Sequence, residues 1–119
     1  MSSPANLDQI VVEATAMQVI MGDLAANYQN ALSTILRAAK NGVDLVILPE
    51  LAITGYAVGD EFEITELLKE NKRAVDMLIE STKHLDIAVA CGYVDYDEKV
   101  TGHDGRLRRY NSAVVFQRG

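Results

Sequence analysis

An apolar run that stops at a proline and a carboxylate is the feature that most constrains the fold of this chain. Residues 43–48 carry a single polar side chain, Asp44, and predict a strand covered on both faces. Pro49 has no N–H for the sheet ladder, so the strand should end there, with Glu50 at its carboxyl end. Open α/β sheets bind ligands outside these ends. Glu50 is therefore a candidate for chemistry, although strand-end glutamates are usually solvated turn residues, and position alone leaves both interpretations open.

The flanking sequence alternates between strand-like and helix-like patterns, which indicates the α/β class. A first helix has apolar positions from Tyr28 to Ala39, with Asp23 or Asn27 as its cap and Asn41-Gly42 as its end. A second helix has its apolar side between Leu67 and Ile79, after a loop over residues 50–63. Further strands are predicted at residues 10–17, 86–92 and 113–116, with a hairpin turn at Asp104-Gly105.

Composition narrows the class of protein. The net charge of −6 argues against binding to nucleic acid or to anionic membranes. No apolar run approaches the ~20 residues of a membrane span, and the N-terminus lacks the pattern of a signal peptide. The single cysteine, Cys91, cannot form an internal disulfide. A cytoplasmic location is the simplest expectation.

The 119 residues are expected to form one incomplete domain. The chain ends shortly after the strand at residues 113–116, where a further element should follow, and we find no internal repeat or linker. The expectation at this point is a piece of a larger unit.

Residues 44–56, with the sequence DLVILPELAITGY, resemble the signature around the catalytic glutamate of the nitrilase (carbon-nitrogen hydrolase) superfamily. Three flanking segments match the same family in order and rough spacing: Gly22-Asp23-Leu24 with Asn27, residues 86–92, and residues 110–115. Within the superfamily, LAITGY followed by GDEF at residues 59–62 is similar to the glutaminase domains of glutamine-dependent NAD synthetases.

The resemblance implies a fold, an α-β-β-α sandwich of four layers. This chain would supply about half of it, as a mixed sheet with two main helices on one face. The other face should then be apolar and exposed unless something covers it. We therefore expect a homo-oligomer, or pairing with the missing half.

The resemblance also implies a reaction, hydrolysis of the side-chain amide of glutamine with release of ammonia. The family uses a Cys nucleophile, a Glu base and a Lys that stabilises the oxyanion. Glu50 matches the base, whereas the Lys and Cys should lie beyond residue 116, so the isolated chain is expected to be inactive. Tyr56 either lines the amide pocket or packs under the loop. ATP and Mg²⁺ are implied only for a separate synthetase domain, and no cofactor for this chain.

The remaining reactive side chains have ordinary interpretations. Cys91 lies in an apolar strand and predicts a buried, inert thiol. Lys83 and Lys99 are expected to be solvated, and His84 and His103 to be surface residues without a metal. Two alternatives to the NAD synthetase interpretation stay open: a fragment of a stand-alone amidase, and a non-catalytic member of the family kept for assembly.

Overall fold

The computed structural model describes residues 9–55, 65–101 and 107–119, which form a mixed α/β unit. Its elements are, in chain order, β1 (Val12–Ala14), α1 (Leu24–Lys40), β2 (Leu45–Ile47), α2 (Thr65–Thr82), β3 (Ala88–Thr101) and β4 (Leu107–Gln117). The sheet has the order β1-β2-β3-β4. The first three strands are parallel and β4 is antiparallel to β3. The predicted fold class, a mixed sheet with two main helices, is confirmed.

Helix α1 begins and ends at the residues that helix-capping chemistry favours. The Asp23 carboxylate accepts a hydrogen bond from the backbone N–H of Ala26 at 3.1 Å, so Asp23 is the cap and Asn27 is not. The helix therefore starts earlier than the apolar pattern from Tyr28 indicated. At the other end Asn41 is the C-cap and Gly42 follows with a φ of +77°, a conformation that glycine adopts without strain.

Both helices pack on the same face of the sheet. Ile35 of α1 and Leu78 of α2 are fully buried, and they belong to one apolar cluster with Val46 and Val89 of the central strands. At the margin of this core, Arg37 of α1 forms a two-pronged ion pair with Glu13 of β1, at 2.6 and 3.0 Å. Neither of the described helices is long and apolar enough to cross a membrane.

The opposite face of the sheet is apolar and open. Because side chains alternate along a strand, Val46 points into the core while Ile47 is 38% exposed. Val12 and Val115, on the outer strands, are also exposed. The expectation that β2 is covered on both faces is wrong at Ile47. The expectation that the helix-free face is apolar and exposed is confirmed.

Strands β3 and β4 are longer than the sequence pattern predicted. They continue as an antiparallel ladder well beyond residues 92 and 113, through a polar stretch in which Asp97 pairs with Arg108. Such a ladder tolerates polar residues because its faces can meet water, and opposite charges across it are favourable. The predicted turn at Asp104-Gly105 lies outside the described residues, although the hairpin pairing that it implies is present.

Candidate active site

Glu50 lies at the carboxyl end of β2, where the chain leaves the parallel ladder and then rejoins it. The N–H of Leu48 donates to the carbonyl of Ala90 at 2.9 Å, and the N–H of Ala52 donates to the carbonyl of Gly92 at 3.1 Å. Between these two anchors Pro49 has no N–H to offer, so the hydrogen-bond ladder is interrupted and residues 49–51 form a bulge in it. The bulge presents Glu50 beyond the end of the strand, as the sequence predicted.

The absence of a side chain at Gly92 lets the Glu50 backbone lie directly against β3. A Cβ at position 92 would stand 2.8 Å from both the Cα of Glu50 and the N of Leu51, and 3.0 Å from the carbonyl oxygen of Pro49. These are backbone atoms, which cannot swing aside as a flexible side chain would. Any residue other than glycine would therefore push the Glu50 segment away from β3.

Leu51, the residue after Glu50, adopts a left-handed backbone conformation with a φ of 49°. This conformation costs a non-glycine residue roughly 1–3 kcal/mol, so the surroundings must hold it in place. The Leu51 side chain is buried and packs with Leu68 and Val94, and its carbonyl accepts a hydrogen bond from the N–H of Gly55 at 2.8 Å. The turn after Glu50 is thus fixed by a buried side chain and by its own hydrogen bond.

Asn27 ties this turn to the loop that precedes α1. Its side chain is fully buried and makes three hydrogen bonds of 2.7 Å, two with the backbone of Ile20 and one with the carbonyl of Ile53. Nearby, the N–H of Gly22 donates to the carbonyl of Thr54 at 2.9 Å. Hydrogen bonds therefore join residues 20–22 to residues 53–54, which gives a structural reason for Gly22 and Asn27 to accompany the Glu50 segment in the sequence motif.

A cleft of about 320 Å³ opens beside Glu50, between the end of β2, residues 90–92 of β3 and residues 111–113 of β4. Its volume is near the lower end of the range for small-molecule sites. The cleft contains a carboxylate, a carboxamide and a hydroxyl among apolar and backbone surfaces; its lining residues are Ile47, Leu48, Glu50, Ala90, Cys91, Gly92, Asn111, Ser112 and Ala113. The side-chain amide of Asn111 donates a hydrogen bond to the carboxylate of Glu50.

Two further residues singled out in the sequence are Tyr56 and Cys91. Tyr56 lies outside the described residues, so both interpretations of its role stay predictions. Cys91 is fully buried, and burial raises the pKa of its thiol to about 12. The prediction of a buried thiol is confirmed. A thiol with a raised pKa is protonated at neutral pH and is a poor nucleophile, which agrees with the predicted inertness of Cys91.

The charged candidates are surface residues where the structure describes them. Lys83 is exposed and pairs with Glu80 one helical turn earlier, while Lys99 and His84 are exposed. His103 lies outside the described residues. Within the described ranges, no group of three or more His, Cys, Asp and Glu side chains could hold a metal ion.

Asn111 is the site residue that the sequence interpretation missed. Residues 110–115 supported the family resemblance as a strand segment, but no role was assigned to the amide. The available signal was a carboxamide at the start of the apolar run 113–116, because asparagine is disfavoured in strands. Its contact with a residue two strands away could be recognised only once the register of β3 and β4 was known.

Comparisons with known proteins agree with this arrangement. A family model described as carbon-nitrogen hydrolase matches residues 13–119. The glutamine-dependent NAD(+) synthetase of Thermotoga maritima is 26% identical over 113 residues, which are 95% of this chain and 18% of that protein. The glutamine-dependent NAD(+) synthetase of Acinetobacter baylyi is 33% identical over 99 residues, which are 83% of this chain and 16% of that protein.

A solved structure shares the fold. The crystal structure of a glutamine-dependent NAD(+) synthetase from Cytophaga hutchinsonii matches with a TM-score of 0.78 and 24% identity, over 92% of this chain and 17% of that one. The chain thus spans less than a fifth of the length of these relatives. Since the family model covers nearly the whole sequence, the chain belongs to the carbon-nitrogen hydrolase family.

Proposed function

We propose that this chain supplies the general base of a glutamine amide hydrolase, within a glutamine-dependent NAD synthetase. The observation that carries the proposal is the Glu50 carboxylate, which lies in a cleft at the carboxyl end of a parallel strand and accepts a hydrogen bond from Asn111. The relatives named as glutamine-dependent NAD(+) synthetases support the choice of glutamine as the amide.

The proposed chemistry uses Glu50 as a proton carrier. Glu50 takes the proton of a cysteine thiol while the sulfur attacks the amide carbon of glutamine, forming a tetrahedral intermediate. The C–N bond then breaks, and Glu50 returns the proton to the nitrogen, which leaves as ammonia. In the second half, Glu50 takes a proton from water, whose oxygen attacks the thioester carbon. The C–S bond then breaks, the side-chain carboxylic acid of glutamate is released, and Glu50 returns the proton to the cysteine sulfur.

The nucleophile and the cation that stabilises the oxyanion belong, in this proposal, to residues other than those of the cleft. The only cysteine of the chain, Cys91, is buried and protonated, and no lysine is among the lining residues of the cleft. The open apolar face beside the cleft supports association with a further part of the same domain, or with a second polypeptide. ATP and Mg²⁺ would act in a separate synthetase domain.

The test measures ammonia release from L-glutamine by the intact polypeptide, at the length that is produced in its source organism. Glu50→Gln keeps the shape of the side chain but removes its basicity, and we expect kcat to fall by about 10²–10⁴-fold. Glu70→Gln is the matched control, because Glu70 is an exposed glutamate of α2 that pairs with Arg73 away from the cleft. The 119-residue chain alone should show no turnover.

Three results would change the proposal. Full activity of Glu50→Gln would remove Glu50 from the mechanism. Turnover of other amides but not of glutamine would favour a stand-alone amidase. An intact mass equal to the 13.0 kDa of this chain, without activity alone or with any copurified partner, would favour a non-catalytic assembly role.

A further inference from the structure

The hydrogen bond between Asn111 and Glu50 joins two segments that are distant in sequence. Asn111 lies in β4, opposite Val94 of β3, and its neighbour on the same face, Ala113, is opposite Gly92. Glu50 emerges from the bulge that lies against Gly92. The Glu50 side chain therefore extends past a strand position without a side chain and meets an amide presented by the next strand.

We propose that Asn111 is a positioning residue, which holds the Glu50 carboxylate in the orientation needed to accept a proton. The inference rests on the proposed role of Glu50 as general base. Asn111 does not itself exchange a proton or contact the reacting atoms. It acts through Glu50, by fixing the rotation of the carboxylate about its last bond.

The chemistry of the two groups suits this role. An ionised carboxylate only accepts hydrogen bonds, and its two oxygens offer about four acceptor sites, so a bond from one N–H leaves capacity for a transferred proton. An amide is neutral at every pH of interest and cannot compete for that proton. A lysine or histidine in the same place would add a charge or a second titrating group.

The position of Asn111 in the sheet also suits a positioning role. The residue lies within the continuous antiparallel pairing of β4 with β3, from Gln117 to Arg108, so its backbone is fixed by ladder hydrogen bonds on a rigid element. Its side chain has only two rotatable bonds, and little freedom is lost when it holds a partner. Both Asn111 and Glu50 are exposed, and a water-accessible hydrogen bond adds little to stability. A role in folding therefore does not account for the contact.

The test compares two amides on the same strand and the same face. Asn111→Leu removes the donor and keeps a side chain that branches at the same carbon. Gln117→Leu makes the same kind of change at an exposed position of β4 outside the cleft. In the intact polypeptide we expect Asn111→Leu to lower kcat for glutamine about 10–100-fold with KM within about twofold, because a base displaced by a fraction of an ångström fails only in the transition state. Gln117→Leu should leave both constants unchanged.

Three further readouts separate positioning from folding. Asn111→Gln keeps a carboxamide donor and should recover part of the lost kcat, and the temperature of unfolding should be the same for all three variants. In the 119-residue chain, the side-chain amide resonances of Asn111 should shift on Glu50→Gln, while those of Gln117 stay in place.

The outcomes are distinguishable. Wild-type kcat in Asn111→Leu, together with inactive Glu50→Gln, would overturn the positioning role and leave the general base intact. A loss of kcat that Gln117→Leu shares, or that accompanies a lower unfolding temperature, would assign Asn111 a structural role instead. Full activity of Glu50→Gln would overturn both proposals.

Discussion

Replacing Gly92 with alanine would test whether close contact with β3 sets the position of Glu50. The added Cβ would meet three backbone atoms of residues 49–51 at 2.8–3.0 Å. Ordinary carbon contacts lie near 3.5–4.0 Å, so the two segments must separate by roughly 0.5–1 Å. The hydrogen bonds of 2.9 and 3.1 Å that anchor Leu48 and Ala52 on either side of the bulge resist that separation.

The expected loss of stability combines two opposing effects. Inserting a methyl group into a packed contact costs about 1–3 kcal/mol. Replacing glycine also restricts the unfolded chain, which returns about 0.4–1 kcal/mol. The backbone of Gly92 is not in the left-handed region, so no conformational strain is added. We therefore expect a net loss of about 1–2 kcal/mol, and a fall in kcat on the order of 10²-fold if the base moves by about 1 Å.

Gly42→Ala is the matched control, because it should lower stability through backbone strain and not through a collision with neighbouring atoms. Gly42 has a φ of +77° with no atom within 4 Å of the added Cβ, so alanine there is strained but does not collide with a neighbour. A loss of about 1 kcal/mol is expected, without effect on Glu50. Urea unfolding measures the stability of both variants, and backbone amide shifts of residues 48–52 report the displacement. If Gly92→Ala has wild-type stability and unchanged shifts in this segment, the close contact does not position Glu50.

Two further predictions concern buried polar groups. Asn27→Ala should lower the free energy of unfolding by about 2–4 kcal/mol, because three buried hydrogen bonds are lost and their backbone partners are left unpaired. The control is Asn30→Ala, at a partly exposed position with one hydrogen bond, which should cost less than about 1 kcal/mol in urea unfolding. Equal losses for Asn27→Ala and Asn30→Ala would refute this prediction. The pKa of the Cys91 thiol is raised from 9.0 to about 12 by burial. Because the thiol ionises at a lower pH in the unfolded chain than in the folded one, the contribution of Cys91 to stability should be complete below pH 9 and lost between pH 9 and 12. Cys91→Ala should lack this loss. Iodoacetamide at pH 8 should label Cys91 only in urea, and rapid labelling of the folded chain would refute this.

The sequence predicted the local framework of the site because the signals there are short-range. The sheet ladder cannot continue through Pro49, which lacks an N–H, so the end of β2 and the place of Glu50 follow from neighbouring residues. The same is true of the α1 cap, where Asp23 accepts from a backbone N–H three residues later.

What the sequence did not predict depends on partners far along the chain. The length of β3 and β4 comes from their mutual pairing, which stabilises polar residues that carry no strand-like alternation of their own. The close approach at Gly92 and the contact of Asn111 with Glu50 require the register of the sheet. The role of Asn27 was also not predicted. Its position in the sequence suits a helix cap, whereas its buried hydrogen bond is made to Ile53 in another loop.

The open face of the sheet and the exposed carboxylate have a common physical consequence. Glu50 and Asn111 are both exposed, and the cleft that they share borders Ile47 on the uncovered apolar face. Electrostatic and proton-transfer steps are far more effective where water is excluded, so the proposed reaction requires a cover over this cleft. The exposed side chains of Val12, Ile47 and Val115 are also the ones whose burial would drive a covering layer into place. The layer that stabilises the sheet is therefore expected to be the one that dries the cleft and brings the nucleophile to Glu50.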